Sequence, residues 1–114
     1  MIDCDRWDVV TALFPFVDAP VRKPRPVLVL TRRAFHLAHA HLIGCMVTTA
    51  AGSHWPSDHP IRDVAGAGLS HASVVRWKVF TLPSALVGKR IGALSESDRI
   101  GMEASQGGVL GRRL

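Results

Sequence analysis

Prolines and glycines interrupt this sequence so often that long regular elements have little room. Seven prolines and ten glycines are spread over 114 residues, and the longest purely apolar run, residues 27–30, has four members. A helix that crosses a membrane needs about 20 apolar residues, so none is expected. Short apolar segments between turn-forming residues are instead typical of a sheet of short strands.

Six segments are predicted to form these strands. Residues 27–31 are a continuous apolar run directly after a proline, which favours a strand buried on both faces. Residues 73–80 alternate, with Trp77 and Val79 on one face and Arg76 and Lys78 on the other. The predicted strands are residues 8–14, 27–31, 42–49, 60–64, 73–80 and 89–94.

The sequence predicts one substantial helix, residues 95–106. Ser95 is the expected N-cap with Asp98 three residues further on, and the following Gly107-Gly108 pair is expected to stop the helix. Residues 32–40 are ambiguous and could form a helical turn, and residues 83–87 are a turn or one short helical turn. The fold class is therefore mainly β, a small, strongly curved sheet or barrel with a C-terminal helix.

Length and cysteine content limit the organisation of the chain. Residues 1–114 are predicted to form a single domain. A chain of this size buries only about 60–70% of its unfolded surface, so a partner subunit would add to a thin core. Two cysteines, Cys4 and Cys45, are too few for a disulfide framework, which favours the reducing cytoplasm.

The charge balance indicates an anionic partner. Fourteen lysines and arginines against nine acids give a net charge of +5. Eleven of the cations are arginines, whose planar fork of donors fits a phosphate. The simplest such partner is a nucleic acid, and the alternative is a surface that is merely basic. Five cations lie within twelve residues that contain no acid: Arg22, Lys23, Arg25, Arg32 and Arg33.

Three segments in order carry a family resemblance. The first is Phe-Pro-Phe-Val-Asp at 14–18, followed by a basic loop and Arg-Pro-Val-Leu-Val-Leu at 25–30. The second is Cys-Met-Val-Thr-Thr at 45–49. The third runs from Ala-Gly-Leu at 67–69 through Ser-Val-Val-Arg at 73–76 to Ile-Gly-Ala-Leu-Ser at 91–95. Over about residues 5–105, their order and spacing resemble the MazF/PemK toxins of type II toxin–antitoxin systems.

The resemblance implies a fold, an activity and partners. The fold would be an SH3-like barrel of the CcdB/MazF type with a C-terminal helix, assembled as a homodimer. The activity would be that of an mRNA interferase, an endoribonuclease that cuts single-stranded RNA at short sequences without a metal or other cofactor. A separate antitoxin would place an acidic, flexible tail in the RNA groove. By position, the family's catalytic residues fall on Arg25, Thr48 and Arg76.

These residue types suit metal-free cleavage of RNA. The 2′-hydroxyl can attack the adjacent phosphate and leave a cyclic phosphate and a 5′-hydroxyl, while negative charge gathers on the non-bridging oxygens. Arg25 and Arg76 can each donate a bidentate pair to a phosphate, and fixed donors aimed at developing charge often supply the largest catalytic contribution. Thr48 is a poor acid or base, so it is assigned to orienting the scissile phosphate or the 2′-hydroxyl.

Two departures from the family leave the proton-transfer residue open. Many relatives carry Gly-Ser-Glu or Gly-His-Glu before the Arg-Pro step, whereas residues 18–24 contain neither glutamate nor histidine. Some relatives place an aspartate two residues after the strand arginine, where this chain has Lys78. The nearest candidates by segment are Asp18, Asp58 and His59.

Further residues are predicted to contact RNA. Arg22, Lys23 and Lys78 would supply positive charge, His71 precedes the strand that carries the family arginine, and Trp55 could stack on a base. The alternatives are solvated positions for the charged residues and a core or dimer contact for the tryptophan.

A metal site is not predicted. His39 and His41 would share one face of a strand, but no HExxH or paired-cysteine motif accompanies them.

Two other functions stay open on the sequence. The related CcdB toxins share the barrel and poison DNA gyrase by binding it, through C-terminal residues rather than the set Arg25, Thr48 and Arg76. The second alternative is a basic RNA-binding module that has lost catalysis, because Lys78 departs from the family pattern.

Overall fold

The computed structural model describes residues 3–13 and 23–111, and these form six strands, two helices and one 3-10 turn. In chain order the elements are β1 (Asp8–Ala12), β2 (Arg25–Val29), α1 (Arg33–His39), β3 (His41–Thr49), β4 (His59–Pro60), β5 (Ser73–Pro83), the 3-10 turn Ser84–Leu86, β6 (Val87–Ala93) and α2 (Glu96–Leu110). The strands form one sheet in the order β4-β5-β3-β2-β1-β6, and every neighbouring pair is antiparallel.

The sheet buries apolar side chains on both faces, which explains why its strands are nearly continuous apolar runs. Val9 and Val10 enter different cores, as the two-residue period of a strand requires. The core next to α2 contains Trp7, Val9, Leu28, Cys45, Val47, Val75, Trp77 and Met102. The core on the other face contains Cys4, Val10, Ala12, Val27, Val29, Leu42 and Leu82.

The predicted mainly β class with a C-terminal helix is confirmed. Five predicted strands, 8–14, 27–31, 42–49, 73–80 and 89–94, overlap β1, β2, β3, β5 and β6, although residue 14 lies outside the described residues. The ambiguous segment 32–40 contains α1, and the predicted turn at 83–87 contains the 3-10 turn. The described sheet is open, with β4 and β6 at its two edges.

Two predicted boundaries are wrong. The strand predicted at 60–64 is only the two-residue β4. Ile61 N still donates to Ser73 O of β5 at 3.0 Å, but the N–H groups of Arg62 and Asp63 donate to a side chain instead of a strand. The Gly107-Gly108 pair does not stop α2, which runs to Leu110. A Cβ at Gly108 would meet nothing within 4 Å, so no neighbouring chain forces a turn there, and Gly111 N still donates to Gly107 O at 3.2 Å.

The predicted alternation along β5 holds only in its first half. Trp77 is buried as expected, but Val79, predicted on the same face, is 45% exposed. The register shifts between them, because Met46 pairs with Arg76 while Cys45 pairs with Val79. A bulge of this kind inserts extra residues into one strand and redirects the side chains that follow.

The turn before β5 lies directly against the backbone of β6. Gly68 has a φ of +76°, and a Cβ there would lie 2.1 Å from the carbonyl oxygen of Ile91. A Cβ on Gly92 would lie 2.4 Å from the carbonyl carbon of Ala67. Glycine tolerates both the positive φ and the close approach, and the contact holds residues 69–71 at one end of the sheet.

Both cysteines are buried and neither forms a disulfide. Burial, followed by the charges of three nearby aspartates, raises the pKa of the Cys4 thiol to about 11. Its sulfur lies 3.8 Å from Nδ1 of the buried His36. Burial also raises the pKa of the Cys45 thiol to about 12. Both groups are therefore thiols, not nucleophilic thiolates, at neutral pH.

Asp98 ties the start of α2 to the segment after β4. Its fully buried carboxylate accepts hydrogen bonds from the backbone N–H groups of Arg62 and Asp63 and from Ser95 Oγ, and lies 3.0 Å from His59 Nε2. Ser95 Oγ accepts from Asp98 N at 3.2 Å, which confirms the predicted N-cap. Burial alone would raise the pKa of Asp98, but the hydrogen bonds outweigh it and hold the pKa below its usual value.

Replacing Asp98 by asparagine should therefore lower the free energy of unfolding by about 2–4 kcal/mol at neutral pH, since buried N–H groups lose a charged acceptor. A carboxyl whose pKa is lowered by folding contributes stability above about pH 4 and loses it as the pH falls through the lowered pKa. Denaturant unfolding from acid to neutral pH should show a gap between wild type and Asp98→Asn that narrows in acid. The exposed Glu103→Gln on the same helix is the control, and a gap independent of pH would contradict the assignment.

Candidate functional site

A cleft of about 410 Å³ lies where β2 begins, β3 ends and the turn before β5 passes close to both. One part of its lining is polar and the other apolar, so it can hold both a charged group and an attached flat or aliphatic one. The polar lining residues are Arg25, Thr48, Thr49, Ser70, His71 and Ser73. The apolar ones are Pro26, Met46, Val47, Leu69 and Ile91.

The pairing of β2 with β3 brings Arg25 and Thr48 together. The strands are antiparallel with Val27 opposite Met46. Arg25 precedes Val27 and Thr48 follows Met46 by two residues each, and both line the same cleft. Neither side chain is hydrogen-bonded or ion-paired to another described residue, so within the described chain their donors are available to a ligand.

His71 reaches the cleft from the turn that Gly68 and Gly92 hold against β6. Its Nδ1 lies 2.9 Å from Ser70 Oγ, and Ser73 Oγ donates to its backbone carbonyl at 2.8 Å. Nε2 has no partner within the described chain. Of the described residues that line the cleft, only Arg25 and His71 are ionisable, so its fixed charge is positive and suits an anion.

Arg76 does not line this cleft, in contrast to its predicted place beside the phosphate. The residue is 8% exposed, and its Nε and one terminal nitrogen donate to the two carboxylate oxygens of Asp58 at 3.0 and 2.8 Å. Its terminal nitrogens also donate to Ser53 Oγ and Ser53 O at 3.1 and 2.9 Å. The hydrogen bond between the two side chains is the main cause that lowers the pKa of Asp58 and raises that of Arg76. The guanidinium of Arg76 is thus already hydrogen-bonded within the protein.

Neither of the two described residues considered for proton transfer lines the cleft. Asp58 pairs with Arg76, and His59 lies 3.0 Å from the Asp98 carboxylate. Asp18 lies outside the described residues. The sequence analysis included His71 only as an RNA contact. The position of His71 next to Ser70, directly after a glycine-rich turn, could have indicated an imidazole with a fixed orientation.

The other described residues predicted to contact RNA do not line the cleft. Lys23 and Lys78 are exposed and do not line the cleft, and Arg22 lies outside the described residues. Trp55 lies in the irregular segment 50–58 between β3 and β4, with the guanidinium carbon of Arg76 4.9 Å from its ring centroid.

Within residues 3–13 and 23–111, no three histidine, cysteine, aspartate or glutamate side chains lie close enough together to hold a metal ion. In the same part of the chain, no helix is both long and apolar enough to cross a bilayer.

Comparison with known proteins places the fold in one class of small mainly β toxins. A family described as PemK-like, MazF-like toxin of type II toxin–antitoxin system matches residues 5–103. The match covers all six described strands and the first half of α2. The chain therefore belongs to the MazF/PemK family of toxins. A search of curated protein sequences found no match.

Several solved structures share the fold at low sequence identity. The toxin MazF-mt6 of Mycobacterium tuberculosis is 24% identical with a TM-score of 0.75, over 94% of this chain and 99% of that one. A MazE–MazF structure from Deinococcus radiodurans is 16% identical with a TM-score of 0.76, over 99% and 100% of the two chains. An endoribonuclease in complex with its cognate antitoxin, from a mycobacterial species, is 16% identical with a TM-score of 0.73, over 100% and 99%.

Proposed function

We propose that this toxin is an endoribonuclease that cuts single-stranded RNA in the cleft lined by Arg25 and Thr48. One observation carries the proposal: two residues at family catalytic positions, both without a described side-chain partner, line the same positively charged cleft together with His71. Family membership supports the activity, as does the name of a structure with the same fold, an endoribonuclease.

The proposed reaction needs an anchored phosphate and an aligned nucleophile. The 2′-hydroxyl loses its proton to solvent as its oxygen forms a bond to phosphorus, the bond from phosphorus to the 5′-oxygen breaks, and the products are a 2′,3′-cyclic phosphate and a 5′-hydroxyl. Arg25 donates to the non-bridging oxygens, where negative charge grows as the 2′-oxygen attacks. Thr48 orients the scissile phosphate or the 2′-hydroxyl through its own hydroxyl.

His71 is assigned to proton transfer. The leaving 5′-oxygen would depart as an alkoxide unless it receives a proton, and an imidazole can supply one near neutral pH, which arginine and threonine do not. Its contact with Ser70 fixes one ring nitrogen and leaves Nε2 for the substrate. Arg76 is assigned to positioning the segment 50–58 rather than to contact with the phosphate, because it donates its hydrogen bonds to Asp58 and Ser53.

The test is incubation of the wild-type protein with a defined single-stranded RNA in EDTA, followed by mapping of both new ends. The proposal expects cleavage with a cyclic phosphate and a 5′-hydroxyl. A requirement for a divalent metal, or a 5′-phosphate product, would contradict this mechanism. Binding without cleavage would favour the RNA-binding module that has lost catalysis.

The family partners of such a toxin are also proposed here: a homodimer in the cytoplasm, inhibited by an antitoxin with an acidic tail. Exposed apolar side chains on β5 and α2, Val79, Ile100 and Leu110, support burial of further surface by a second copy. A flexible acidic tail would be drawn to the same positive cleft as RNA and would order as it binds.

Neutralising Arg22 and Lys23 together should weaken the binding of RNA and also the binding of an acidic antitoxin-tail peptide. For single-stranded RNA, each lost phosphate contact should reduce the slope of log K against log salt by about 0.7. Fluorescence titration over a salt series measures both slopes, with the double variant of Lys89 and Arg90 on β6 as the charge-matched control. Unchanged slopes would show that Arg22 and Lys23 contribute only to solubility, and simultaneous binding of peptide and RNA would contradict a shared groove.

A further inference from the structure

Trp55 differs from the other two tryptophans of this chain in being exposed. Trp7 and Trp77 are 7% and 8% exposed and belong to the core next to α2, whereas Trp55 is 40% exposed. It lies in the segment 50–58, which has no regular secondary structure. An exposed tryptophan outside the core contributes little to stability, so its presence at this position requires another explanation.

The segment around Trp55 is held by hydrogen bonds to two charged side chains. Asp58 Oδ2 accepts from Trp55 N at 3.0 Å, and Asp58 N donates to Trp55 O at 2.9 Å. The same carboxylate accepts two hydrogen bonds from Arg76, which also donates twice to Ser53. Residues on both sides of Trp55 are therefore fixed to an arginine that belongs to β5.

The guanidinium of Arg76 also supports the indole directly. Its carbon lies 4.9 Å from the centroid of the Trp55 ring, within the range of a cation–π contact. A cation that is itself held by four hydrogen bonds thus lies over the ring, and 40% of the residue stays exposed. The ring is oriented before any ligand arrives, which reduces the entropy lost on binding.

The segment that carries this tryptophan is connected to the proposed RNA cleft in two ways. The segment 50–58 begins directly after Thr49, which lines the cleft, and Arg76 pairs with Met46, which also lines it. A strand whose phosphate is bound by Arg25 would present its neighbouring bases next to this segment.

We propose that Trp55 is a stacking platform for one unpaired base of the bound RNA, with Arg76 as the residue that positions it. The inference rests on the proposed function, since it assumes that single-stranded RNA enters the cleft. Stacking of a base on an aromatic side chain is worth about 5- to 150-fold in affinity. It is tolerant of sequence, because every base offers a flat face.

The test uses short 2′-O-methyl RNA probes, which have no free 2′-hydroxyl and so can bind without being cut. Matched probes carry an abasic sugar at successive positions. The wild type should bind the full probe about 5- to 150-fold more tightly than one particular abasic probe. Trp55→Ala should lose that preference and bind both about equally, Trp55→Phe should keep part of it, and Leu37→Ala, exposed on α1, is the control.

Two further readouts distinguish stacking from a structural role. The full probe should quench the tryptophan fluorescence of the wild type but not of Trp55→Phe, because the other two indoles are buried. Arg76→Lys, which cannot form the bidentate pair with Asp58, should lower the preference for the full probe over the abasic probe.

The outcomes distinguish the proposed stacking platform from the proposed RNA cleavage on which it rests. A wild type that binds no probe and cuts no RNA would overturn both. A wild type that cuts RNA while Trp55→Ala keeps the full preference for the base would overturn the platform alone. The same holds if Trp55→Ala weakens full and abasic probes equally, or if Trp55 is quenched only by an acidic peptide or covered only on self-association.

Discussion

Replacing Arg25 by alanine should slow RNA cleavage about 100- to 1000-fold, because the developing charge on the scissile phosphate loses its fixed donor. Thr48→Ala should also abolish most cleavage, through loss of alignment. The fold should survive both changes, since neither side chain has a partner within the described chain and Arg25 is exposed. Single-turnover cleavage of a defined RNA, with circular dichroism and thermal unfolding in parallel, gives the two measurements.

Arg62→Ala is the matched control for Arg25→Ala. Its side chain is exposed and does not line the cleft, and only its backbone contacts Asp98. Equal losses in the two variants would mean that net positive charge, rather than a placed donor, drives the reaction. Wild-type cutting by Arg25→Ala would refute the assigned role.

Removing the imidazole of His71 should lower the cleavage rate about 100- to 10,000-fold, the usual range for general acid–base catalysis. The loss should lie in the rate at saturating RNA and leave the affinity largely unchanged. In a substrate whose 5′-oxygen is replaced by sulfur, the leaving group departs as a thiolate and needs no proton. His71→Ala should therefore cleave this substrate nearly as fast as the wild type does.

His54→Ala is the control for a histidine outside the cleft. If His71→Ala weakened affinity alone, His71 would be a binding residue only. If instead Asp18→Asn abolished cleavage and His71→Ala did not, the proton would come from the segment that precedes β2.

The strands and the family positions could be predicted from the sequence because they depend on local patterns. Apolar runs and turn residues marked five of the six strands, and the Arg-Pro and Thr-Thr steps marked Arg25 and Thr48. The cleft was less accessible to prediction, since it forms only when the β2–β3 register and the Gly68 turn bring distant segments together.

The ion pair between Arg76 and Asp58 could not be predicted from the sequence, for a physical reason. Asp58 is eighteen residues away from Arg76 on an irregular segment, and no local pattern announces such a pair. The same applies to β5, where the alternation read from the sequence fails at a bulge that is defined by its partner strand. Helix α2 passes Gly107 and Gly108 because glycine permits a turn without requiring one.

The two buried thiols make this toxin convenient for chemical labelling. Maleimides and similar reagents attack thiolates, and burial with a raised pKa protects Cys4 and Cys45 at neutral pH. A single cysteine introduced at an exposed site such as Glu103 would then be the one reactive position, with both native cysteines left in place. Fluorophores or spin labels attached there could report distances to a bound RNA or to a second copy without redesign of either core.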